Sequence, residues 1–123
     1  MIDLKFNSDG LIPVIVQQHD TGEVLMMSWM NKTAITETLN GNVCYYSRTR
    51  KSLWYKGESS GQIQTLVSFL IDCDRDTILL KVDQKGVACH TGHHNCFFTE
   101  IKHDEEVEIS KVLISPEELY DAP

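Results

Sequence analysis

Two cysteines and three histidines fall within the eight residues Cys89-His90-Thr91-Gly92-His93-His94-Asn95-Cys96. Thiolate and imidazole are the side chains that bind zinc well in a reducing cell. The Cys-x6-Cys spacing differs from the Cys-x2-4-Cys of a zinc finger or ribbon, and two ligands leave the coordination shell incomplete. The blander reading of the same residues is a pair of free thiols on a His-rich turn. A third thiol, Cys73, stands in Asp72-Cys73-Asp74-Arg75-Asp76. If that stretch is extended, Asp72, Asp74 and Asp76 share one face and Cys73 takes the other. Three carboxylates suit a hard cation such as magnesium. A third thiolate would complete a zinc site of three protein ligands, whose open fourth position is the catalytic pattern. The acidic run begins like an EF-hand loop, but Thr77 stands where glycine is required and Asp83 where glutamate closes the loop, which excludes it. A solvated acidic hairpin turn is the alternative.

The segment Ser47–Gly61 holds a different chemistry. Four of the chain's eleven Lys and Arg residues, Arg48, Arg50, Lys51 and Lys56, lie between positions 48 and 56. On a strand, Arg48 and Arg50 would point the same way, and guanidinium groups grip phosphate oxygens bidentately. Trp54 and Tyr55 can stack on a base, and the small residues of Gly57–Gly61 can turn backbone N–H groups toward an anion. A solvated basic hairpin with core aromatics is the competing reading.

These residues need a scaffold, and the rest of the chain is rich in strand signals. Val14–Gln18 and Val24–Trp29 are apolar runs separated by the turn His19-Asp20-Thr21-Gly22. A helix is expected over Lys32–Leu39, capped by Asn31 and ended by Asn40-Gly41, with Ala34, Ile35, Thr38 and Leu39 on one face. Further strands are expected at Val43–Ser47, Ile63–Ile71, Thr77–Val82, Cys96–Ile101 and Val107–Ile114, with Ile63–Ile71 and Thr77–Val82 paired across Asp72–Asp76. Ser115-Pro116-Glu117-Glu118 is a capping box that opens a short helix. The expectation is one β-dominated α+β domain over residues 1–123, with a small core that a second chain would help to complete.

The net charge of −7 and pI near 5.1 argue against a general nucleic-acid or anionic-membrane binder. No apolar run approaches the roughly 18 residues of a membrane span, and the charged start Met1–Gly10 has no signal-peptide core. A cytoplasmic location is expected, where thiols stay reduced.

Several of these stretches, in this order, resemble the phosphoribosyl-AMP cyclohydrolase family. The similarity runs from Gly10-Leu11-Ile12-Pro13 and Val16-Gln17 through Thr21-Gly22-Glu23-Val24-Leu25-Met26 and Trp29-Met30-Asn31. It continues with Ser47-Arg48-x-Arg50, Leu53-Trp54-x-Lys56-Gly57-Glu58-x-Ser60-Gly61 and Gln64. Asp72-Cys73-Asp74-x-Asp76, Ala88-Cys89-His90-Thr91-Gly92 and Cys96-Phe97 complete it. It covers roughly residues 10–98 and leaves a short C-terminal extension, 104–123, with too little chain for the pyrophosphohydrolase domain to which this family is sometimes fused.

The resemblance implies an intertwined homodimer with two active sites shared between chains. It implies zinc on Cys73, Cys89 and Cys96, with Cys73 from the other subunit, and magnesium on Asp72, Asp74 and Asp76. The implied reaction is hydrolytic opening of the adenine ring of 1-(5-phosphoribosyl)-AMP at C6–N1, in histidine biosynthesis. His90, beside a ligand cysteine, is the candidate for proton transfer. Arg48, Arg50 and Lys56 are the candidate phosphate ligands, Trp54 the base platform and Glu58 a contact to ribose or metal. Family members often carry Arg in place of His94, Ser in place of Asn95 and Asn in place of Gln62. The rival readings are a structural-zinc interaction module, with Cys44 as the spare ligand, and a non-catalytic nucleotide-binding module.

Overall fold

The computed structural model describes residues 2–58 and 60–120. Its centre is a four-stranded mixed sheet of β1 (Ile12–Gln18), β2 (Val24–Met30), β5 (Gln64–Ile71) and β6 (Ile78–Gln84), in the order β2-β1-β6-β5. The two inner strands, β1 and β6, run parallel, and each edge strand is antiparallel to its neighbour. Both inner strands alternate strictly: Ile12, Val14 and Val16 from β1 and Ile78, Leu80 and Val82 from β6 are fully buried on one face. The helix α1 (Lys32–Leu39) and the hairpin of β3 (Cys44–Ser47) and β4 (Ser52–Tyr55) cover that face and add Ala34, Ile35, Cys44 and Tyr45 to the core.

The helix follows its sequence signals. Asn31 Oδ1 accepts from Ala34 N–H at 2.8 Å, and the chain leaves through Asn40 and a left-handed Gly41. Buried Thr38 ties the helix to β3, its hydroxyl donating to Cys44 C=O and accepting from Cys44 N–H. The helix α2 (Pro116–Tyr120) is also as expected, with Ser115 Oγ accepting from Glu118 N–H at 3.2 Å.

The other sheet face carries an apolar row. The register places Met27, Ile15, Leu79 and Leu70 side by side across all four strands. Met27, Ile15 and Leu70 are 43%, 39% and 40% exposed, so nothing among the described residues covers the row.

Four expectations change. Ser52–Tyr55 is a strand, because it pairs with β3 from Cys44↔Tyr55 to Ser47↔Ser52. Arg48 and Arg50 do not share a strand face, because β3 stops at Ser47 and residues 48–51 turn, with Lys51 at φ +53°. Asp72–Asp76 is not extended either: it is a tight turn with Arg75 at φ +66°. The last strands are shorter than expected, β7 being Thr99–Lys102 and β8 Glu105–Glu108. Beyond β8 the backbone donors serve another partner, since Leu113 and Ile114 N–H groups reach Gly92 C=O at 2.8 and 3.3 Å.

Candidate active site

The Cys89–Cys96 loop leaves the end of β6 and is held by buried amides. Gln84 accepts from Gln64 Nε2 at 2.8 Å and donates to Val87 C=O at 3.3 Å, while Gln62 Oε1 accepts from Val87 N–H at 3.1 Å. The loop then folds on itself through Ala88 N–H to His94 C=O, 2.9 Å, and Cys96 N–H ties it to Leu25 of β2 at 2.7 Å. Gly92 makes the reversal at φ +89°, where a Cβ would run into the Ile114 carbonyl oxygen. Only glycine fits there without moving backbone.

This folding brings Cys89, which is buried, beside Cys96. Cys96 keeps accessible surface, yet desolvation, and then the neighbouring Cys89, push its thiol up to about 12, against a lowering pull from Lys56. Lys56 is the cation of this corner. Its Nζ donates to Ala88 C=O at 2.7 Å and lies 5.9 Å from the Trp54 ring centroid. Burial lowers its pKa, and the two cysteines act in the opposite sense.

A pocket of about 330 Å³ opens beside the thiols, lined among others by Arg50, Trp54, Lys56, Glu58, Ser60 and His90. Five of these were candidates from sequence; β4 and its flanking turns supply four of them, and the thiol loop supplies His90. Trp54 is backed by buried Tyr45, with ring centroids 5.1 Å apart. The Gly57–Gly61 anion loop contains Ser59, which lies outside the described residues, as do positions 121–123 of the C-terminal extension. Arg48 is not with this group. Its guanidinium sits 4.7 Å over the Trp29 ring and lines a separate recess with Asp9, Tyr46 and Lys51.

The turn at Asp72–Asp76 gathers its carboxylates by a different route from the extended strand expected. Asp72 Oδ1 accepts from the N–H groups of Asp76 and Thr77 at 3.0 and 3.1 Å. Oxygens of Asp72, Asp74 and Asp76 then lie within 4.8 Å of one another. Hydrogen bonding to Asp76 and then Asp72, with their charges, pushes the Asp74 carboxyl up. A cation would relieve that crowding, so the donor set fits magnesium. Among the described residues this is the only such group of three potential metal ligands in one chain. Cys73 therefore does not join Cys89 and Cys96. It is exposed at the tip of the β5–β6 hairpin, whose strands are eight and seven residues long, while the other two thiols lie toward its open end. Strands of that length put on the order of 20 Å between the ends.

Sequence reading missed three polar residues that hold the site. Glu23 binds Asn95 Nδ2 and lies 2.9 Å from His94 Nδ1, so two of the three positions that depart from the family pattern share one carboxylate. Glu108 of β8 reaches His93, and Gln84 anchors the loop. Glu23 lies in the stretch that carried the resemblance, whereas no local spacing marks Glu108.

Comparison with known proteins gives the family. The family model described as phosphoribosyl-AMP cyclohydrolase matches residues 26–98. A protein of that name from Paramagnetospirillum magneticum is 64% identical over 118 residues, covering 95% of this chain and 89% of its own. One from Magnetococcus marinus is 59% identical over 118 residues, covering 95% and 92%. One from Rhodospirillum rubrum is 58% identical over 121 residues, covering 97% and 85%. The chain belongs to the phosphoribosyl-AMP cyclohydrolase family and is an enzyme, a hydrolase.

Proposed function

We propose that this chain opens the adenine ring of 1-(5-phosphoribosyl)-AMP at the C6–N1 bond, as a step of histidine biosynthesis. The observation that carries the reading is the pocket in which Arg50, Trp54, Lys56, Glu58 and His90 stand beside the paired thiols Cys89 and Cys96. A net anionic chain that places cations and an indole around one recess has the means to hold an anionic purine nucleotide.

Cys89 and Cys96, with Cys73 of the partner subunit, would hold zinc, and Asp72, Asp74 and Asp76 would hold magnesium. Two adjacent thiols suit zinc by ligand softness. Zinc supplies Lewis acidity and makes water nucleophilic near neutral pH. In the net reaction one water adds at C6, the C6–N1 bond breaks and N1 gains a proton. C6 keeps its exocyclic nitrogen and becomes a carboxamide.

The chain's own groups do the rest. Arg50 binds a phosphate at the rim. Trp54, held by Tyr45, offers its face to the purine. His90, on the pocket wall next to Cys89, carries the proton toward N1. Lys56 is fixed beside the thiols and offsets their charge, and Glu58 contacts the ribose or a metal. Arg48, turned toward Trp29, serves a phosphate only from outside this recess.

The homodimer reading rests on two features. Cys73 is too far from its fellow ligands within one chain, and the row Met27, Ile15, Leu79 and Leu70 lacks cover. A second copy would supply both. Among the described residues no helix is long and apolar enough to cross a membrane, and a cytoplasmic location fits an enzyme with reduced metal-binding thiols.

The test is turnover of phosphoribosyl-AMP by purified protein, followed by the absorbance change on ring opening. Activity should disappear on chelation and return with zinc. Magnesium should then stimulate the zinc-loaded protein, and less so once Asp72 and Asp74 are both changed to Asn. A protein that binds the nucleotide with zinc present and never turns it over would be a binding module instead. A zinc site closed by a fourth protein ligand would favour the structural-zinc module.

A further inference from the structure

We propose that Glu108, His93 and Thr91 form a positioning chain that aims the Cys89 sulfur, and that the segment after Phe98 exists in part to hold that chain in place. The inference rests on the reading of Cys89 as a zinc ligand and concerns residues that the reading leaves unused.

Glu108 Oε1 lies 2.6 Å from His93 Nε2, His93 Nδ1 lies 2.8 Å from Thr91 Oγ1, and Thr91 Oγ1 donates to Cys89 Sγ at 3.0 Å. The four groups form one unbroken line from an exposed strand to a buried thiol. A hydroxyl has a single proton to give. Against a thiolate, the metal-ligand form of cysteine, that proton points at sulfur. Glu108, an acceptor only, takes Nε2–H and fixes the ring plane. Carboxylate-to-histidine pairs of this kind orient metal ligands through the groups between them.

Burial alone does not call for histidine at position 93. The ring is only 4% exposed and stacks on Phe98 at 3.6 Å between centroids, and a phenyl ring would fill that place equally well. The polar line is what an imidazole adds. The C-terminal segment grips the same loop twice more. Val112 forms a β-bridge with His93, and the Leu113 and Ile114 N–H groups reach Gly92 C=O. Glu108 is supplied by β8 of that segment, so the extension beyond the family match reaches back to the thiolate loop through both backbone and side chain.

The experiment uses full-length protein loaded with zinc or with cobalt(II), whose thiolate absorption reports the metal–sulfur bond. Metal affinity is measured by competition with a chelator. Glu108→Ala and Thr91→Val should weaken affinity about 10- to 100-fold, the range for loss of an outer partner of a ligand, and should shift the thiolate-to-cobalt band. Thr91→Ser, which keeps the hydroxyl, and Glu106→Ala, on the same exposed hairpin, should match the parent. Because Glu108 is exposed, its variant keeps the test standing if Thr91→Val fails to fold. Parent-like affinity and spectrum in Glu108→Ala would overturn the positioning chain and leave the zinc reading intact. A parent protein that takes up neither metal would overturn both.

Discussion

Lys56 and Ala88 are joined across the site: the ammonium donates to the Ala88 carbonyl at 2.7 Å, immediately before the first thiol of the Cys89–Cys96 loop. Strand β4 is thereby locked to the loop, and a positive charge is held beside two sulfurs whatever the substrate does. Lys56→Met should keep the fold and lower kcat/KM by about 10- to 100-fold, consistent with loss of a charged hydrogen bond of roughly 1.5–3 kcal/mol. Zinc retention should fall with it. Kinetics and metal content measured on the same preparation check this, and a variant with normal values of both would reduce Lys56 to packing.

The two arginines should behave differently, although only one residue separates them. Arg50 lines the pocket, and Arg50→Ala should weaken substrate capture by roughly 1.5–3 kcal/mol. The loss should shrink with an analogue that lacks the contacted phosphate. Arg48 stacks on Trp29, so Arg48→Ala should cost about 0.5–1 kcal/mol of stability. Its effect on KM should be the smaller of the two. Equal KM effects, read from initial rates, would contradict the separation.

A shared zinc site makes a quantitative prediction for mixed dimers. Cys73→Ser and Cys89→Ser chains should each be inactive alone. After subunit exchange about half of the dimers are mixed, and each mixed dimer has one site with all three thiols. Activity should recover to about one quarter of wild type. If exchange is demonstrated and nothing recovers, Cys73 does not complete its partner's zinc site and the intertwined arrangement is wrong.

Stability should fall at alkaline pH for a reason unconnected with the metal. Burial, then the charges of Glu37 and Glu58, raise the Cys44 thiol from its ordinary value of 9.0 to about 11. Burial, followed by Cys44, also raises the Tyr45 phenol. Between about 9 and 11 the unfolded chain ionises Cys44 while the folded chain keeps it protonated, so unfolding releases a proton and rising pH favours it. The contribution is whole below pH 9 and lost as pH passes 11. Urea unfolding from pH 7 to 10.5 should give a flat curve that then declines. Cys44→Ala should soften the decline and leave turnover intact. A decline of the same slope in that variant would assign it to Tyr45 or other groups.

The chemistry-bearing residues were legible in the sequence because their signals are local. Thiols and imidazoles crowd eight positions of the Cys89–Cys96 loop, carboxylates alternate around Cys73, and cations cluster before Trp54. The strands β1 and β6 and the caps of α1 and α2 were equally legible, because apolar runs between turn residues mark strands and capping acts within one turn. What the tertiary structure decided is everything set by contacts distant in the chain. The turn after Ser47 sends Arg48 to Trp29 and leaves Arg50 to the pocket. The hairpin between Gln64 and Gln84 carries Cys73 away from Cys89 and Cys96, which no spacing between those cysteines reveals. Glu23, 71 residues before His94, and Glu108, 15 after His93, reach the loop only because β2 and β8 pack against it. A hydrogen bond depends on where atoms stand in space, and a folded chain joins residues whose separation in sequence leaves no periodic mark.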